Sequence, residues 1–360
     1  MDIILNAPIC QTGYGVVGLN LVAALARAGH EVALFPIGHF PTPPPEFQGA
    51  INAALQRQRT CDPGASSVCL KEITLPVKPI GNGLRCLFTI FELDRLTSAE
   101  LECLRSMDRI FVCTRWAQGV LVAHGLRLET VRVVPLGIDR SIFSPALGAA
   151  QPTSSETVFA NIGKFELRKG HDVLVEAFNL AFGPKDPVRL LIHGCNHMLG
   201  EAFNRFWIDH CKSTRLGGKI TIVERPFASH VEVAGFMAQA DCGVFPARAE
   251  GWNLELLEMM ALGKTVIATD YGGHTEFANP ENCLLVKISE LEDAHDGVKF
   301  AGQGRWARLG PEQLEQLVMH LRAVHQRKQS GNLGSNPAGI ATARRFSWEN
   351  SAQRLVEGLG

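Results

Sequence analysis

The sequence has no excess of charge of either sign and no membrane-length apolar run. Lys and Arg together number 35 and Asp and Glu 36, for a net charge of −1 at pH 7. Nucleic-acid binders concentrate basic residues, so this balance excludes nucleic acid as an expected partner. The N-terminus, Met1-Asp-Ile-Ile-Leu5, has no basic region of the kind that begins a signal peptide. We therefore expect a cytoplasmic protein.

Paired metal ligands are also lacking. The ten cysteines form no Cys-x-x-Cys pair, and most lie in apolar runs, as Cys86 and Cys113 do. We interpret them as buried, reduced thiols, and we interpret His193, His197 and His274 as structural histidines. No Asp-x-Asp signature stands out. The sequence therefore predicts neither a metal site nor a cofactor.

An alternation of short apolar runs and helical patterns fills most of the chain, which is typical of α/β folds with parallel sheets. A length of 360 residues favours two domains. We expect the first over residues 1–145 and the second over 157–340, joined by a linker from Ser144 to Glu156, with the final helix, 347–360, packing back on the first domain. The predicted strands are 2–6, 31–35, 85–90, 109–113, 131–134, 158–162, 188–192, 220–223, 242–245 and 265–268. Residues 36–85 are irregular and are interpreted as an insertion with at most a modest helix.

A glycine turn precedes the first helical pattern. Gly13 and Gly15 lie in Thr12-Gly-Tyr-Gly15, just before a helix predicted over Val16–Ala28. Glycines at such a turn let backbone N–H groups approach an anion, although a tight turn without a ligand is an equal alternative. A nicotinamide dehydrogenase is the weakest alternative, because a third glycine and a ribose-binding acid are missing.

Two acids flank a second strand-to-helix turn. Glu250 lies in the turn after the run ending at Phe245, and Glu258 shares a predicted helical face with Leu254 and Leu257. A carboxylate among apolar side chains is costly to desolvate unless it is hydrogen-bonded. A polyol with vicinal hydroxyls would suit both acids, since open α/β folds bind ligands at this edge of the sheet. The alternative is that Glu258 is a surface acid.

Two lysines follow the first strand of the second domain. Lys164 ends that strand, and Lys169 returns toward the same edge five residues later. Two converging cations would suit a diphosphate, whose charge grows as the bond to the sugar breaks. The alternative is a solvated basic loop.

The ordered set of motifs resembles the retaining GT-B glycosyltransferases of family 4 (group 1). The resemblance spans nearly the whole chain and rests on six segments: Thr12–Gly15, Val133–Asp139 with Phe143-Ser-Pro145, Gly163–Gly170, Glu250–Glu258, Val266–Glu276 and Phe346-Ser-Trp348. It implies two doubly wound Rossmann-like domains facing across a cleft. It also implies transfer of a hexose-type sugar from a nucleotide sugar, with a UDP- or GDP-sugar favoured, to a saccharide, glycolipid or other hydroxyl acceptor. Peripheral membrane contact stays open.

The resemblance also implies roles for residues. Those matching Lys164 and Lys169 bind the donor diphosphate without a metal ion. Glu250 contacts the donor sugar near its reacting face, and Glu258 takes the ribose hydroxyls. The backbone of Gly251, Trp252, Asn253 and Leu254 follows the phosphate and sugar.

Two departures from the family pattern matter. The family's loop is commonly Gly-Phe-Gly-Leu-Pro, whereas this chain has Gly251-Trp-Asn-Leu-Glu255, so Asn253 brings a polar side chain to the donor region. Many relatives carry His followed by an acid after the strand at 85–90, whereas this chain has Phe91-Glu92, as some branches do. Glu92 is the candidate acid for orienting the acceptor hydroxyl, and an N-terminal helix acid is the equal alternative.

Two rival functions share the fold. One is a nucleotide-sugar epimerase or a sugar phosphorylase, which the lysine and glutamate set disfavours. The other is a non-catalytic carbohydrate-binding protein, which the departures at Phe91-Glu92 and Asn253 favour. Acceptor choice is expected to lie in residues 36–85 and in the loop after Glu92.

Overall fold

The computed structural model describes residues 1–73, 77–149 and 154–360. The chain forms two units, Met1–Gly137 with Phe346–Gly360, and Ile138–Arg345. The boundary lies at Gly137 rather than at residue 145, since Phe143 is buried against His230, 6.5 Å between ring centroids, in the second unit. The expected linker is also partly helical, and its residues 150–153 lie outside the described part of the chain.

The first unit is built on one six-stranded parallel sheet in the order β2-β1-β3-β4-β5-β6. Runs such as Ile3-Ile4-Leu5 are apolar without alternation, because a parallel sheet is covered on both faces. The strands are β1 Asp2–Ala7, β2 Glu31–Pro36, β3 Ser66–Leu70, β4 Arg85–Phe88, β5 Arg109–Val112 and β6 Val131–Val133. The helices are α1 Gly13–Arg27, α2 Pro45–Gln56, α3 Ser98–Arg105 and α4 Arg115–Ala123.

Strand β3 corrects the interpretation of residues 36–85 as an insertion. It lies in the middle of the sheet, with Val68 paired to Leu5 of β1 and to Cys86 of β4. Helix α2 is also fully formed, because Phe47 and Ile51 are buried on one face of it. The strand escaped prediction because only three apolar residues, Val68 to Leu70, mark it. This region therefore belongs to the core of the first unit.

The second unit has its own six-stranded parallel sheet, in the order β12-β11-β10-β7-β8-β9, and a separate hairpin. The sheet strands are β7 Thr157–Ile162, β8 Val188–His193, β9 Ile220–Val223, β10 Cys242–Phe245, β11 Thr265–Thr269 and β12 Leu284–Val286. The hairpin pairs β13 Leu291–His295 with β14 Ala301–Ala307; neither it nor β12 was predicted. The helices are α5 Pro145–Ala149, α6 His171–Ala181, α7 Gly200–Lys212, α8 His230–Ala238, α9 Leu254–Ala261, α10 Pro311–Gln329 and α11 Pro337–Ala343.

The strand order of the second sheet reverses between β7 and β10. From β7 the chain builds outward through β8 and β9, then returns to the other side of β7 and builds β10, β11 and β12. The loops that follow β7 and β10 therefore leave the sheet in opposite directions and open a crevice at its carboxyl edge. Ligands of open α/β sheets bind at such a switch point.

The C-terminal helix, α12 Trp348–Leu359, belongs to the first unit. Ser351 Oγ donates to the Pro135 carbonyl at 2.6 Å, and Glu349 pairs with Arg27 at 2.9 Å. Gly137 permits this packing, because a Cβ there would lie 2.2 Å from the backbone of Ser347.

All ten cysteines carry free thiols, and six of them are buried. Within the described residues, no helix is both long and apolar enough to cross a membrane.

Candidate active site

The site of the second unit is built from the loops that follow β7 and β10. Gly170 brings the two loops together: it has φ +73°, and a Cβ on it would lie 1.9 Å from the Pro246 carbonyl oxygen. Backbone hydrogen bonds continue the contact, since Arg248 N–H donates to the Arg168 carbonyl at 2.7 Å. The two loops therefore form one continuous wall at the switch point.

Six charged side chains of alternating sign run along this wall, and we call them the charge chain. Its members, in order of contact, are Lys164, Glu166, Arg168, Glu250, Lys169 and Glu255. Successive members lie 2.8, 2.8, 3.2, 2.7 and 3.9 Å apart between their closest charged atoms. Lys164 at one end is 44% exposed, whereas Arg168 and Glu250 in the middle are 6% and 7% exposed.

Each interior member has partners of opposite charge on both sides, and this sets its ionisation. Burial raises the pKa of Glu250, but the nearby Lys169 and Arg168 outweigh burial and the net shift is downward. Glu166 behaves alike: burial opposes ionisation, yet Arg168 and Lys164 lower its pKa to about 2. Burial lowers the pKa of Lys169, and Glu250 and Glu255 reverse that effect and raise it. Glu166, Glu250 and Lys169 are therefore ionised at neutral pH.

Both lysines of the expected pair contact acids, and Lys169 returns to the end of β7, since a Cβ on Gly163 would lie 3.5 Å from its Nζ. Lys164 reaches Glu166 and Lys169 reaches Glu250, so the two ammonium groups pair with different carboxylates. Arg168 lies between these carboxylates and bonds to both. It also donates to the Ala249 carbonyl at 2.7 Å. Three cations, Lys164, Arg168 and Lys169, thus alternate with acids along the wall.

Two arginines in this wall were not among the predicted site residues. Arg168 lies in the segment for which a solvated basic loop was the alternative, yet it is buried. Arg248 is also buried. Its guanidinium donates to both carboxylate oxygens of Asp172, at 2.8 and 2.9 Å, and to the Leu167 carbonyl at 2.6 Å. Because a guanidinium offers five donors in a fixed fork, it can join two loops in this way. The sequence does show a cluster of charged residues within Glu166–Lys169. It does not show which of these side chains is buried.

Helix α9 begins directly after Glu250. Asn253 adopts φ +76°, alone among the described non-glycine residues, and its Oδ1 accepts from Leu256 N–H at 3.2 Å. Asn tolerates this left-handed conformation and caps helices well, so it replaces the family's glycine without breaking the turn. Its Nδ2 is buried, with no hydrogen-bond partner among the described residues. Gly251 and Trp252 are buried beside it, and Leu254 is half-buried.

Glu258 lies one turn into α9 and is 8% exposed. Within the part of the chain that the structure describes, no hydrogen bond or ion pair reaches its carboxylate. Burial, with a smaller contribution from Glu255, raises its pKa to about 8. The interpretation as a surface acid is therefore wrong. At pH 7 most molecules carry Glu258 as a neutral carboxylic acid, which can both donate to and accept from a hydroxyl.

We expect Glu258→Gln to stabilise the protein at alkaline pH and to change little at pH 5. Between the ordinary value of 4.5 and about 8, the folded protein holds a proton that the unfolded chain has released. The free energy of unfolding therefore falls as pH rises through this window, and glutamine removes the fall. Melting temperatures at pH 5 and pH 8.5 should show a gain on the order of 5 °C at the higher pH only. Exposed Glu281→Gln is the control, and an equal gain in both variants would contradict the assignment.

The loop after β11 fixes the backbone of Glu250. Gly273 N–H donates to the Glu250 carbonyl at 2.6 Å, and a Cβ on Gly273 would lie 2.0 Å from the Gly251 carbonyl oxygen. His274 is fully buried next to this contact and bonds through Nε2 to the Thr269 carbonyl at 2.5 Å. Glu250 is therefore held by its backbone from one loop and by its side chain from another.

In the first unit, the predicted glycine turn is already helical, because α1 begins at Gly13. Gly15 is required for packing, since a Cβ there would lie 2.4 Å from the Cys10 carbonyl oxygen, whereas Gly13 faces open space. Tyr14 between them accepts from Ile90 N–H at 2.8 Å and donates to the Ile90 carbonyl at 2.6 Å. Half-buried Glu92 lies two residues further on. Tyr14 thus joins the start of α1 to the segment that carries Glu92.

No group of three or more His, Cys, Asp or Glu side chains among the described residues is arranged to hold a metal ion. His193 instead stacks on Phe227, with ring centroids 4.0 Å apart.

Comparison with known proteins finds similarity to glycosyltransferases, and the family model matches within the second unit. Residues 149–305 match the model of the glycosyl transferases group 1. Among curated proteins, the D-inositol 3-phosphate glycosyltransferase of Segniliparus rotundus is 28% identical over 270 residues, covering 73% of this chain and 54% of that protein. The chain thus spans about half the length of the curated relatives it matches.

Solved structures confirm the fold. Sucrose-phosphate synthase from Thermosynechococcus elongatus superposes with a TM-score of 0.71 at 18% identity, over 99% of this chain and 98% of that one. Anabaena HepE in complex with UDP and glucose gives a TM-score of 0.68 at 15% identity, again over 99% and 98%. The two six-stranded parallel sheets are those of a GT-B protein, as the motifs predicted.

Proposed function

We propose, from the match of residues 149–305 to the group 1 glycosyl transferases, that the chain transfers a hexose-type sugar from a nucleotide sugar to an acceptor hydroxyl. The donor binds to the second unit at the switch point between β7 and β10, and a UDP- or GDP-sugar is the favoured donor. The acceptor, a saccharide, glycolipid or other hydroxyl compound, binds to the first unit.

The main support for this proposal is the charge chain. A nucleotide diphosphate brings two or more negative charges, and Lys164, Arg168 and Lys169 offer cations without a metal ion. Lys164 is exposed enough to leave Glu166 and turn to a phosphate, whereas Lys169 can bridge Glu250 and a phosphate at once. The N-terminus of α9 adds a partial positive charge next to them.

Glu250 and Glu258 bind different parts of the donor. The ionised Glu250 accepts hydrogen bonds from hydroxyls of the donor sugar, held in place by Arg168 and Gly273. The neutral Glu258 exchanges hydrogen bonds with the vicinal ribose hydroxyls, which relieves the cost of its burial. The backbone of Gly251, Trp252, Asn253 and Leu254 lies between the two acids and follows the phosphate and sugar.

The reaction proceeds with retention of configuration. The bond from the anomeric carbon to the leaving phosphate oxygen breaks, and the acceptor oxygen bonds to the same face of that carbon. The acceptor proton passes to the leaving phosphate, and Glu92 orients the acceptor hydroxyl. The coupling constant of the anomeric proton in the product tests this proposal by NMR, and an inverted linkage would contradict same-face attack.

Nucleotide binding tests the proposal most directly. Melting curves with UDP, GDP, ADP, dTDP and their glucose or mannose conjugates should show one base raising the melting temperature. A ligand present at a hundred times its Kd adds about 2.7 kcal/mol to the stability of the protein it binds. ATP and inorganic phosphate serve as controls for non-specific anion binding. A protein whose stability none of the nucleotide sugars raises would not be a nucleotide-sugar enzyme, and interconversion of the donor without acceptor would indicate an epimerase.

A further inference from the structure

The first unit contains a cavity that has no role in the donor site described above. Its volume is about 300 Å³, the size of a small organic group. The lining residues are Ile9, Cys10, Gln11, Leu19, Pro41, Thr42, Pro43 and Pro44. Those from Ile9 to Gln11 follow β1, and those from Pro41 to Pro44 follow β2. The cavity therefore lies at the carboxyl edge of the first sheet, beside the start of α1.

The lining of this cavity is neutral. Its apolar residues are Ile9 and Leu19, which are only 1% and 2% exposed, and three prolines of the segment after β2. Cys10, Gln11 and Thr42 are the polar lining residues, and none of the eight carries a charge. A phosphate or carboxylate would meet no cationic side chain among these lining residues. An apolar group would lose only ordered water, and the rigid proline wall loses little conformational entropy on binding.

The cavity lies within reach of Glu92. Strand β4, which precedes Glu92, is separated from β1 by β3 alone. Neighbouring strands lie about 4.8 Å apart, so the carboxyl ends of β1 and β4 are about 10 Å apart. Tyr14 spans this interval, because its hydroxyl bonds to the backbone of Ile90. One sugar ring with a substituent is long enough to extend from Glu92 to the cavity.

We propose that this cavity is an acceptor subsite that holds an uncharged, apolar substituent of the acceptor, such as an aromatic or short alkyl aglycone, while the acceptor hydroxyl lies at Glu92. This inference rests on the proposed glycosyl transfer, because it names the class of acceptor for that reaction. It favours an uncharged acceptor substituent over a phosphate group in this subsite.

Cys10 reports occupancy of the cavity without any assay of activity. Its thiol is half-buried in the lining, and Cys61 is half-buried in the same unit beyond α2, at the amino edge of the sheet. We expect 2-naphthyl β-D-glucopyranoside to slow the alkylation of Cys10 by N-ethylmaleimide at least fivefold. The extent of alkylation is measured by peptide mass spectrometry. Cys61 should react at an unchanged rate. Glucose and glucose 6-phosphate should not protect Cys10; equal rates with and without the naphthyl glucoside would overturn the proposal.

A variant in which a larger side chain fills the cavity should bind the naphthyl glucoside more weakly. Thr42 is exposed at the rim, so Thr42→Trp can place an indole in the cavity without disturbing the core. We expect it to raise the Kd for 2-naphthyl β-D-glucopyranoside at least tenfold by calorimetry, whereas Thr60→Trp, at an exposed site outside the lining, leaves the Kd unchanged. Equal affinity in the wild type and in Thr42→Trp would place the probe elsewhere and overturn the proposal.

The nucleotide melting curves separate this inference from the proposed function. A protein that binds a nucleotide sugar but leaves Cys10 unprotected keeps its proposed function and lacks this subsite. A protein that protects Cys10 but binds no nucleotide sugar has the cavity as a binding site and loses both the transfer reaction and the acceptor role.

Discussion

Glu250→Gln should remove most of the turnover while leaving nucleotide affinity unchanged or tighter. Glutamine keeps the shape of the side chain but loses the charge that orients the donor sugar and neutralises Lys169. Losing one preorganised electrostatic contact at a reacting centre typically lowers the rate 10² to 10³-fold. Meanwhile Lys169 and Arg168 lose an acidic partner, so they become better partners for the diphosphate.

Turnover is measured as nucleotide diphosphate release from the nucleotide sugar that stabilises the protein, and affinity by calorimetry with the free nucleotide diphosphate. Glu255→Gln is the matched control. It lies at the end of the charge chain, is 26% exposed and stands 3.9 Å from Lys169, so its effects should be small. If Glu250→Gln weakened nucleotide binding and turnover by equal factors, Glu250 would be a binding residue and not part of the reacting centre.

Some destabilisation of Glu250→Gln is also expected. A buried ion pair that loses one partner leaves an uncompensated charge, at a cost of about 3–5 kcal/mol for complete removal. Glutamine retains a carbonyl oxygen for Arg168, which reduces that cost. Assays should therefore be made well below the melting temperature of the variant, and a folded variant without turnover is the decisive result.

Gly170→Ala should destabilise the second unit severely and abolish nucleotide binding. The added methyl carbon would lie 1.9 Å from the Pro246 carbonyl oxygen and 2.9 Å from its carbon. Since both are backbone atoms, the loop after β10 must move, and with it Glu250. A positive φ adds about 1–2 kcal/mol for any residue with a Cβ. We expect a total loss above about 3 kcal/mol, in the range of severe point mutations.

Gly200→Ala separates the two causes. Gly200 has φ +81°, close to the +73° of Gly170, but a Cβ on it would meet no atom within 4 Å. Urea unfolding of both variants should therefore show the cost of the positive φ alone in Gly200→Ala and a larger cost in Gly170→Ala. Equal losses would mean that the loops after β7 and β10 do not need their close approach.

Much of the fold could be predicted because it depends on local patterns. Strands β9 and β10 have the predicted bounds, Ile220–Val223 and Cys242–Phe245, since a short apolar run between turns specifies a buried parallel strand. Strand β3 was missed because the same rule needs a longer run than Val68 to Leu70. Its place in the sheet is decided by pairing with β1 and β4, which the local sequence does not encode.

The candidate site likewise has residues that the sequence could identify and residues that only the fold reveals. The motifs around Lys169, Glu250 and Glu258 are contiguous in the sequence, and their order along the chain was enough to indicate the family. Arg168 differs, because an arginine beside a lysine is usually solvated. Its burial depends on Glu250 and the Ala249 carbonyl, about eighty residues away, so that contact is invisible before the chain folds.

The sequence by itself determined the class of fold, the resemblance to group 1 glycosyl transferases, and the acids and cations at the edge of the second sheet, because these are recorded in the order and chemistry of neighbouring residues. The tertiary structure alone decided the ionisation of Glu250 and Glu258. Glu250 stays charged because Lys169 and Arg168 fold against it, whereas Glu258 holds its proton to about pH 8 because it is buried and, among the described residues, pairs with no cation. Two glutamates of one motif thus acquire opposite states, since a pKa depends on the groups around a carboxyl in space and not along the chain.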